Sequence, residues 1–279
     1  MTARQPRHYA PDDSTESPLS VATDARDRDV LRLVERAIDT RAVLLAYQPV
    51  VPARRQDQPA MYEGLVRLLD PTGRMIPARD FIASVETHEL GRRLDCLSLD
   101  LGLRTLSRHS NLRIAINMSA RSIGYPDWVG RLESALDADS TLGERLVLEI
   151  TESSAILMPD LVRVFMRSLQ DRGVSFALDD FGSGFTSLRH LKDLYFDVLK
   201  IDGTYVRDIA ANPDNQVVVK ALLSIGRHFE MLTVAEAVET AEDARYLARI
   251  GVDCMQGYHF GAPTVRPDWD ARDRRHAAG

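Results

Sequence analysis

Leu178-Asp179-Asp180-Phe181-Gly182-Ser183-Gly184-Phe185-Thr186-Ser187 is the stretch on which the reading of this chain turns. An apolar run, Val174 to Leu178, stops at two adjacent carboxylates and passes into a glycine-rich loop. Burying two neighbouring aspartates is costly unless a cation compensates them. Hard divalent cations prefer carboxylate oxygen, so a metal site is one reading. The other is open at this point too: Asp180 caps a helix and Asp179 is a solvated strand end.

Working outward, short runs rich in Val, Ile and Leu alternate with longer segments of helical period. The runs are Leu44–Val51, Ala60–Leu68, Leu112–Met118, Arg145–Ile150, Val174–Leu178, Val198–Ile201, Met231–Ala235 and Val252–Met255. The helical segments include Cys96–Arg108, Asp160–Arg172, Asn215–Phe229 and Ala241–Ile250. Repeated strand–helix units predict a parallel sheet covered by helices, and eight strands predict closure into a TIM-type (β/α)8 barrel. The stretch from Val51 to Glu63 is too short for a helical crossover, which predicts that the first strand pairs antiparallel with the second.

Polar residues recur at one end of these runs. Glu63 lies in the second, and Asn117, Glu149 and the pair Asp179-Asp180 end the third, fourth and fifth. Lys200 lies in the sixth, Glu236 and Gln256 end the seventh and eighth, and Gln48 lies in the first. Active-site residues of an α/β barrel come from the C-terminal ends of several strands, so this shared register predicts the site.

Glu63, Asn117, Glu149 and Asp179 are oxygen donors without Cys or His, a set suited to Mg²⁺ or Mn²⁺ rather than Zn²⁺. Adjacent residues on an extended strand face opposite ways, so the chain must turn for Asp180 to join them. The Phe181-Gly182 break and the glycines to Gly184 are the expected place. Asp179 then bridges two cations with Asp180 on the second, an arrangement used in phosphoryl displacement. Lys200 orients the attacking hydroxide or balances charge, and Glu236 ligates the second cation or takes a proton from water. Gln256 orients a water or ligand. Glu63, Leu65 and Arg67 share a strand face, which sets the Arg67 guanidinium to meet a phosphate oxygen. Glu152, three beyond Glu149, reads as an anchor for the loop after Asp180.

Other signals weigh less. Asp180-Phe181-Gly182 lacks the companion motifs of a kinase, and Gly182-Ser183-Gly184 lacks the Lys-Ser/Thr of a nucleotide-binding P-loop. His190, His228 and His259 have no ligand spacing, and Trp128 and Trp269 read as packing or surface aromatics. The net charge of −6 and the absence of a basic stripe argue against nucleic-acid binding. Cys96 and Cys254 form no CxxC pair, which fits a reducing compartment. No run of 18 apolar residues predicts membrane insertion, and the N-terminus lacks a signal-peptide core, so the expected location is the cytoplasm. The composition divides the chain into a disordered tail over 1–25, a barrel over 26–265 that opens on an amphipathic helix from Asp27 to Ile38, and a charged tail over 266–279.

From about Leu44 to Pro263 the chain resembles the EAL-domain cyclic di-GMP phosphodiesterases. The likeness rests on Tyr47-Gln48-Pro49, Glu63-Gly64-Leu65-Val66-Arg67, Asn117-Met118-Ser119, Glu149-Ile150-Thr151-Glu152, Asp179-Asp180-Phe181-Gly182-Ser183-Gly184, Leu199-Lys200-Ile201-Asp202, Ala235-Glu236-Ala237-Val238-Glu239-Thr240 and Gln256-Gly257-Tyr258. The resemblance implies a barrel with a reversed first strand, dependence on Mg²⁺ or Mn²⁺, and hydrolysis of cyclic di-GMP to linear pGpG. It implies substrate contacts by Gln48, Leu65, Arg67, Asp202 and Gln256. It also implies a homodimer through the region after the fifth and sixth strands, with Asp202 to Ile209 as the contact. Gly64 stands where the family carries Ala, Leu68 where an aromatic is usual, and Glu86-Thr87-His88-Glu89 lacks a usual glycine. Those departures predict a loosened strand at Gly64 and weaker packing beside the substrate cleft at Leu68. The rival reading is a non-catalytic module that binds cyclic di-GMP or an unidentified signalling protein.

Overall fold

The same two-residue step occurs on all eight strands of the barrel. The structure, a computed structural model, describes residues 18–182, 191–267 and 269. Strands β1 (Val43–Pro52), β2 (Met61–Leu69), β3 (Met75–Pro77), β4 (Ile114–Asn117), β5 (Leu146–Thr151), β6 (Ser175–Phe181), β7 (Val198–Ile201), β8 (Leu232–Ala235) and β9 (Cys254–Gln256) form one sheet. Its order is β1-β9-β8-β7-β6-β5-β4-β2, and β1 pairs with β2 to close the ring, while β3 hangs on β2 as a hairpin outside it. β1 runs antiparallel to both neighbours. Neighbouring strands from β2 through β4 to β9 run parallel, as the repeated strand–helix units predicted.

Val50, Met61, Ala115, Val147, Ala177, Val198 and Val234 form one buried layer inside the ring, with Cys254 partly buried against it. Two positions from each stands a polar residue: Gln48, Glu63, Asn117, Glu149, Asp179, Lys200, Glu236 and Gln256. Side chains alternate across a strand, so the polar set lies one layer above the apolar floor, at the C-terminal ends of the parallel strands. Outward-facing residues such as Ile116, Leu148, Phe176, Leu178 and Leu199 join the main core with Leu99, Leu103, Trp128, Leu132, Val162, Met166 and Leu223 from the helices. Those helices are α3 (Glu89–Arg108), α4 (Pro126–Ala138), α6 (Pro159–Gln170) and α8 (Pro213–His228), with α9 (Ala241–Ile250) completing the ring; α2 (Ile82–Val85), α5 (Glu152–Leu157) and α7 (Gly203–Val206) are short turns. Among the described residues no helix is long and apolar enough to cross a membrane.

Three boundaries and two elements differ from the sequence reading. Helix α1 spans Pro18–Asp39, so it begins inside the stretch assigned to the disordered tail. Pro18 is tolerated at a first helical position, and no Gly or Pro follows it in the helix to interrupt the backbone. Helix α3 begins at Glu89 rather than Cys96. Gly91 hides this start in the pattern; it is needed because a Cβ there would come 2.6 Å from the Val85 carbonyl oxygen. Strand β6 does not stop at Leu178 but continues through Asp179, Asp180 and Phe181. The hairpin β3 and the helix α4 have no counterpart in the sequence reading. Ser183 to His190 lie outside the described residues.

Leu68 is fully buried in a second cluster with Val34, Ala37, Ile38, Phe81, Val85 and Leu94, under α1 and α3. It therefore points away from the cleft, which corrects the expectation of weakened packing there. Gly64 also faces outward, and its missing methyl leaves no slack: a Cβ would meet Ile116 Cδ1 at 2.8 Å and Leu45 Cδ1 at 3.3 Å.

Candidate active site

Lys200, 1% exposed, stands at the centre of the polar layer. Its Nζ lies 2.8 Å from Glu236, 2.9 Å from Glu149, 2.9 Å from Asp179 and 3.4 Å from Glu63. Burial opposes its charge, yet the four carboxylates outweigh burial and raise its pKa well above the usual lysine range. One ammonium cannot balance four carboxylates. Burial first, then the charge of Glu63, drives Glu149 well above the carboxylate range, against the pull of Lys200. Burial likewise pushes Glu236 up to about 8, with Lys200 opposing and Asp179 and Glu63 adding. Glu63 goes the other way: burial raises it, but Lys200 and the hydrogen bonds from Gln256 and Asn117 bring it below its ordinary value.

The amides hold this cage in shape. Asn117 Nδ2 donates to Glu63 Oε1 at 2.8 Å, and Gln256 Nε2 donates to Glu63 Oε2 at 2.6 Å and to Gln48 Oε1 at 3.1 Å. Gln48 Nε2 donates in turn to the Gly261 carbonyl. Asn117 thus turns its amide oxygen away from Glu63 and keeps it as a donor atom for a cation.

Asp180 joins by a device the sequence does not announce. The β6–β7 pairing slips register between Leu178 and Phe181, and Asp180 takes a left-handed backbone, φ +54°. A bulge of this kind re-aims a side chain, so the turn falls within the strand, before the Phe181-Gly182 break where it was expected. Ligand oxygens of Asp179, Asp180 and Glu236 come within 4.8 Å of one another. Burial, then the neighbouring Asp179 charge, raises Asp180 to about 6. Glu149 Oε1 and Gln256 Oε1 are buried acceptors without a hydrogen-bond donor among the described residues. An all-oxygen donor set with excess negative charge and orphaned acceptors fits hard divalent cations.

Above the cage opens a cavity of about 320 Å³, lined by Gln48, Glu63, Leu65, Asp179, Asp180, Lys200, Asp202, Glu236 and Gln256, as well as Gly203, Arg207, Ala237, Glu239, Gly257 and Tyr258. Asp202 caps α7 by accepting from the Thr204 amide at 2.8 Å. Glu152 Oε2 accepts from the Gly182 amide at 3.4 Å. Arg67 is not in the wall: its Nη1 donates to the Val66 carbonyl at 2.8 Å, and burial lowers its pKa. Strand β2 has left β4 beyond Gly64, and Arg67 pairs with Leu44 of β1 and with Pro77 of the hairpin. Sequence reasoning missed Arg207, Glu239 and Tyr258 as wall residues. Each lies beyond a strand end, where no period places side chains; the nearest signal was their closeness to Asp202, Glu236 and Gln256. Arg207 Nε pairs with Glu239 Oε1 at 3.4 Å on the exposed rim.

Fold and site together define an α/β barrel whose acidic C-terminal rim is built to hold divalent cations. The chain belongs to the EAL domain family, whose pattern matches residues 32–263. It is 34% identical over 237 residues, 82% of its length, to cyclic di-GMP phosphodiesterase PdeB of Shewanella oneidensis, and covers 27% of that protein. It is 31% identical over 224 residues to cyclic di-GMP phosphodiesterase NbdA of Pseudomonas aeruginosa, covering 78% of this chain and 28% of the relative. The chain thus spans under a third of the length of these two relatives. Among solved structures, the MucR phosphodiesterase in complex with c-di-GMP superposes with TM-score 0.73 at 31% identity, covering 85% of this chain and 97% of that one. The FimX EAL domain from Pseudomonas aeruginosa bound to c-di-GMP superposes with TM-score 0.77 at 26% identity, with the same coverages.

Proposed function

We propose that this chain hydrolyses cyclic di-GMP to linear pGpG with two Mg²⁺ or Mn²⁺ ions. The observation that carries the reading is the meeting of Asp179, Asp180 and Glu236 oxygens beside Glu63 in one cavity, with Asn117 hydrogen-bonded to Glu63 and Glu149 paired to Lys200. Glu63, Asn117, Glu149 and Asp179 would hold one ion, and Asp179, Asp180 and Glu236 the other. When bound, such ions ease deprotonation of water and offset charge on the phosphoryl oxygens.

The chain's own residues supply the rest. Lys200, 2.9 Å from Asp179, positions the attacking water and offsets charge between the carboxylates. Glu236, as the carboxylate that pairs with Lys200 at 2.8 Å, takes the proton that the water loses. Water adds in line to phosphorus, the bond to the ribose 3′ oxygen breaks, and that oxygen leaves with the proton that Glu236 took from the water. Gln48, Leu65, Asp202 and Gln256 contact the dinucleotide in the cavity, with Arg67 at the rim for a phosphate oxygen. Arg207 is a second cation for the same ligand, since Lys200 is consumed by the cage.

The barrel is assigned to 26–265, with helix α1 leading into it from Pro18, in a cytoplasmic homodimer. The dimer contact assigned from the family likeness, Asp202 to Ile209, exposes Thr204, Arg207 and Asp208. Purified protein with Mg²⁺ or Mn²⁺ is expected to release pGpG, and Asp179→Asn or Glu63→Ala to abolish release. Full turnover by either variant overturns the metal assignment. Tight binding of cyclic di-GMP with no product under either metal would make the chain a sensor instead.

A further inference from the structure

Gly182, directly after the bulge that turns Asp180, is held by both of its backbone polar groups. Its amide faces Glu152 Oε2 at 3.4 Å, and its carbonyl accepts the Tyr205 hydroxyl at 2.8 Å. The Tyr205 ring also packs close to the residue: a Cβ on Gly182 would come 2.9 Å from Tyr205 Cε2, and Gly182 is at φ +97°. Tyr205 stands on α7, the turn that follows β7, five residues after Lys200. The β6–β7 ladder is regular up to Leu178 opposite Leu199, lost at Asp179 and Asp180, and regained where Phe181 faces Ile201. Glu152 at the Gly182 amide and the Tyr205 hydroxyl at its carbonyl are thus the first fixed points beyond that regained rung. A non-glycine residue in the left-handed region persists only where its surroundings over-determine it. Asp180 has a short tether on its N-terminal side and, on the other, Phe181 and the clamped Gly182.

We propose that Tyr205 is a positioning residue for the second divalent cation. Through the Gly182 carbonyl its hydroxyl holds the bulge that brings Asp180 beside Asp179 and Glu236. The inference rests on the two-cation reading of the site. Tyr205 does not line the cavity and touches neither substrate nor cation, so its effect passes through the backbone. A phenylalanine at this position keeps the ring over Gly182 and removes only the hydrogen bond.

The test is a Mn²⁺ titration of the full chain followed by electron paramagnetic resonance of the free ion, on wild type, Tyr205→Phe and Asp180→Asn. Wild type is expected to take two ions and Asp180→Asn one. Tyr205→Phe is expected to keep the affinity of the first ion and to bind the second about fivefold more weakly, the worth of one neutral hydrogen bond. A purely structural role would weaken both ions together or neither, and would show in the thermal midpoint instead. Two ions in wild type with an unchanged second affinity in Tyr205→Phe overturns the proposal alone. A wild-type chain that takes a single ion overturns the two-cation reading, and the proposal with it.

Discussion

Lys200 Nζ and Glu149 Oε2 form a 2.9 Å ion pair with 1% and 0% of their side chains exposed. Three further carboxylates crowd the same ammonium, so its removal leaves these buried acidic groups without the cation they share. Breaking a buried pair in this way costs about 3–5 kcal/mol. Lys200→Met should therefore lower the denaturation midpoint sharply in EDTA at neutral pH and recover more stability than wild type when Mg²⁺ is added. Denaturant melts with and without the ion measure both quantities. An unchanged midpoint in EDTA would mean that the carboxylates are already neutralised by other means.

The two aspartates of the bulge should separate in function although they are adjacent. Asp179 touches Lys200 and is assigned to both cations, whereas Asp180 is assigned to one. Asp179→Asn should remove hydrolysis together with most Mn²⁺ binding. Asp180→Asn should retain one ion and lose about 10²–10³-fold in kcat, the several kcal/mol that one metal's charge stabilisation supplies. Product release followed by chromatography, with ion stoichiometry on the same samples, decides between this and equal losses.

The position of the cage was legible because a strand's period is two. Once Glu63, Asn117, Glu149 and Lys200 share a register, each must sit one layer above an apolar partner. The same parity places Gly64 and Leu68 on the face opposite Glu63 and Arg67, away from the cleft. The bulge at Asp180 was not legible, because a positive φ at an aspartate is set by tertiary constraint rather than by residue type. Nor was the cavity wall at Arg207, Glu239 and Tyr258, because residues beyond strand ends follow the loop path instead of a period.

Gly64 and Gly102 together make room for one side chain. A Cβ on Gly64 would lie 2.8 Å, and one on Gly102 2.7 Å, from Ile116 Cδ1. Gly64→Ala gains strand rigidity of about 0.5–1 kcal/mol but overpacks at a cost of about 1–3 kcal/mol, so a net loss near 1 kcal/mol is expected. Ile116→Val removes the offending methyl and by itself costs about 0.5–1.5 kcal/mol. Combined, the two changes should cost less than their sum, by about 1 kcal/mol of favourable coupling. Strict additivity in urea melts would show that Ile116 swings aside freely.

Asp95, on α3, grips the turn that follows Asn117 by accepting from the Ser119 amide at 3.0 Å and the Ser122 hydroxyl at 2.5 Å. Burial nevertheless lifts its pKa from 3.8 to about 6, the two hydrogen bonds opposing and the Glu86 charge adding. A carboxyl raised in the folded state binds its proton more tightly there than in the unfolded chain. Its stabilising effect is complete below about pH 3.8 and is lost as pH rises through about 6, amounting to up to about 3 kcal/mol. Asp95→Asn keeps an acceptor oxygen for Ser119 and Ser122 but cannot ionise. The stability of the variant relative to wild type should therefore climb between about pH 4 and pH 6 and then level off. Thermal melts in EDTA across that range, on both proteins, give the difference directly and remove titrations common to the two. A flat difference would mean that the two hydrogen bonds keep Asp95 ionised throughout.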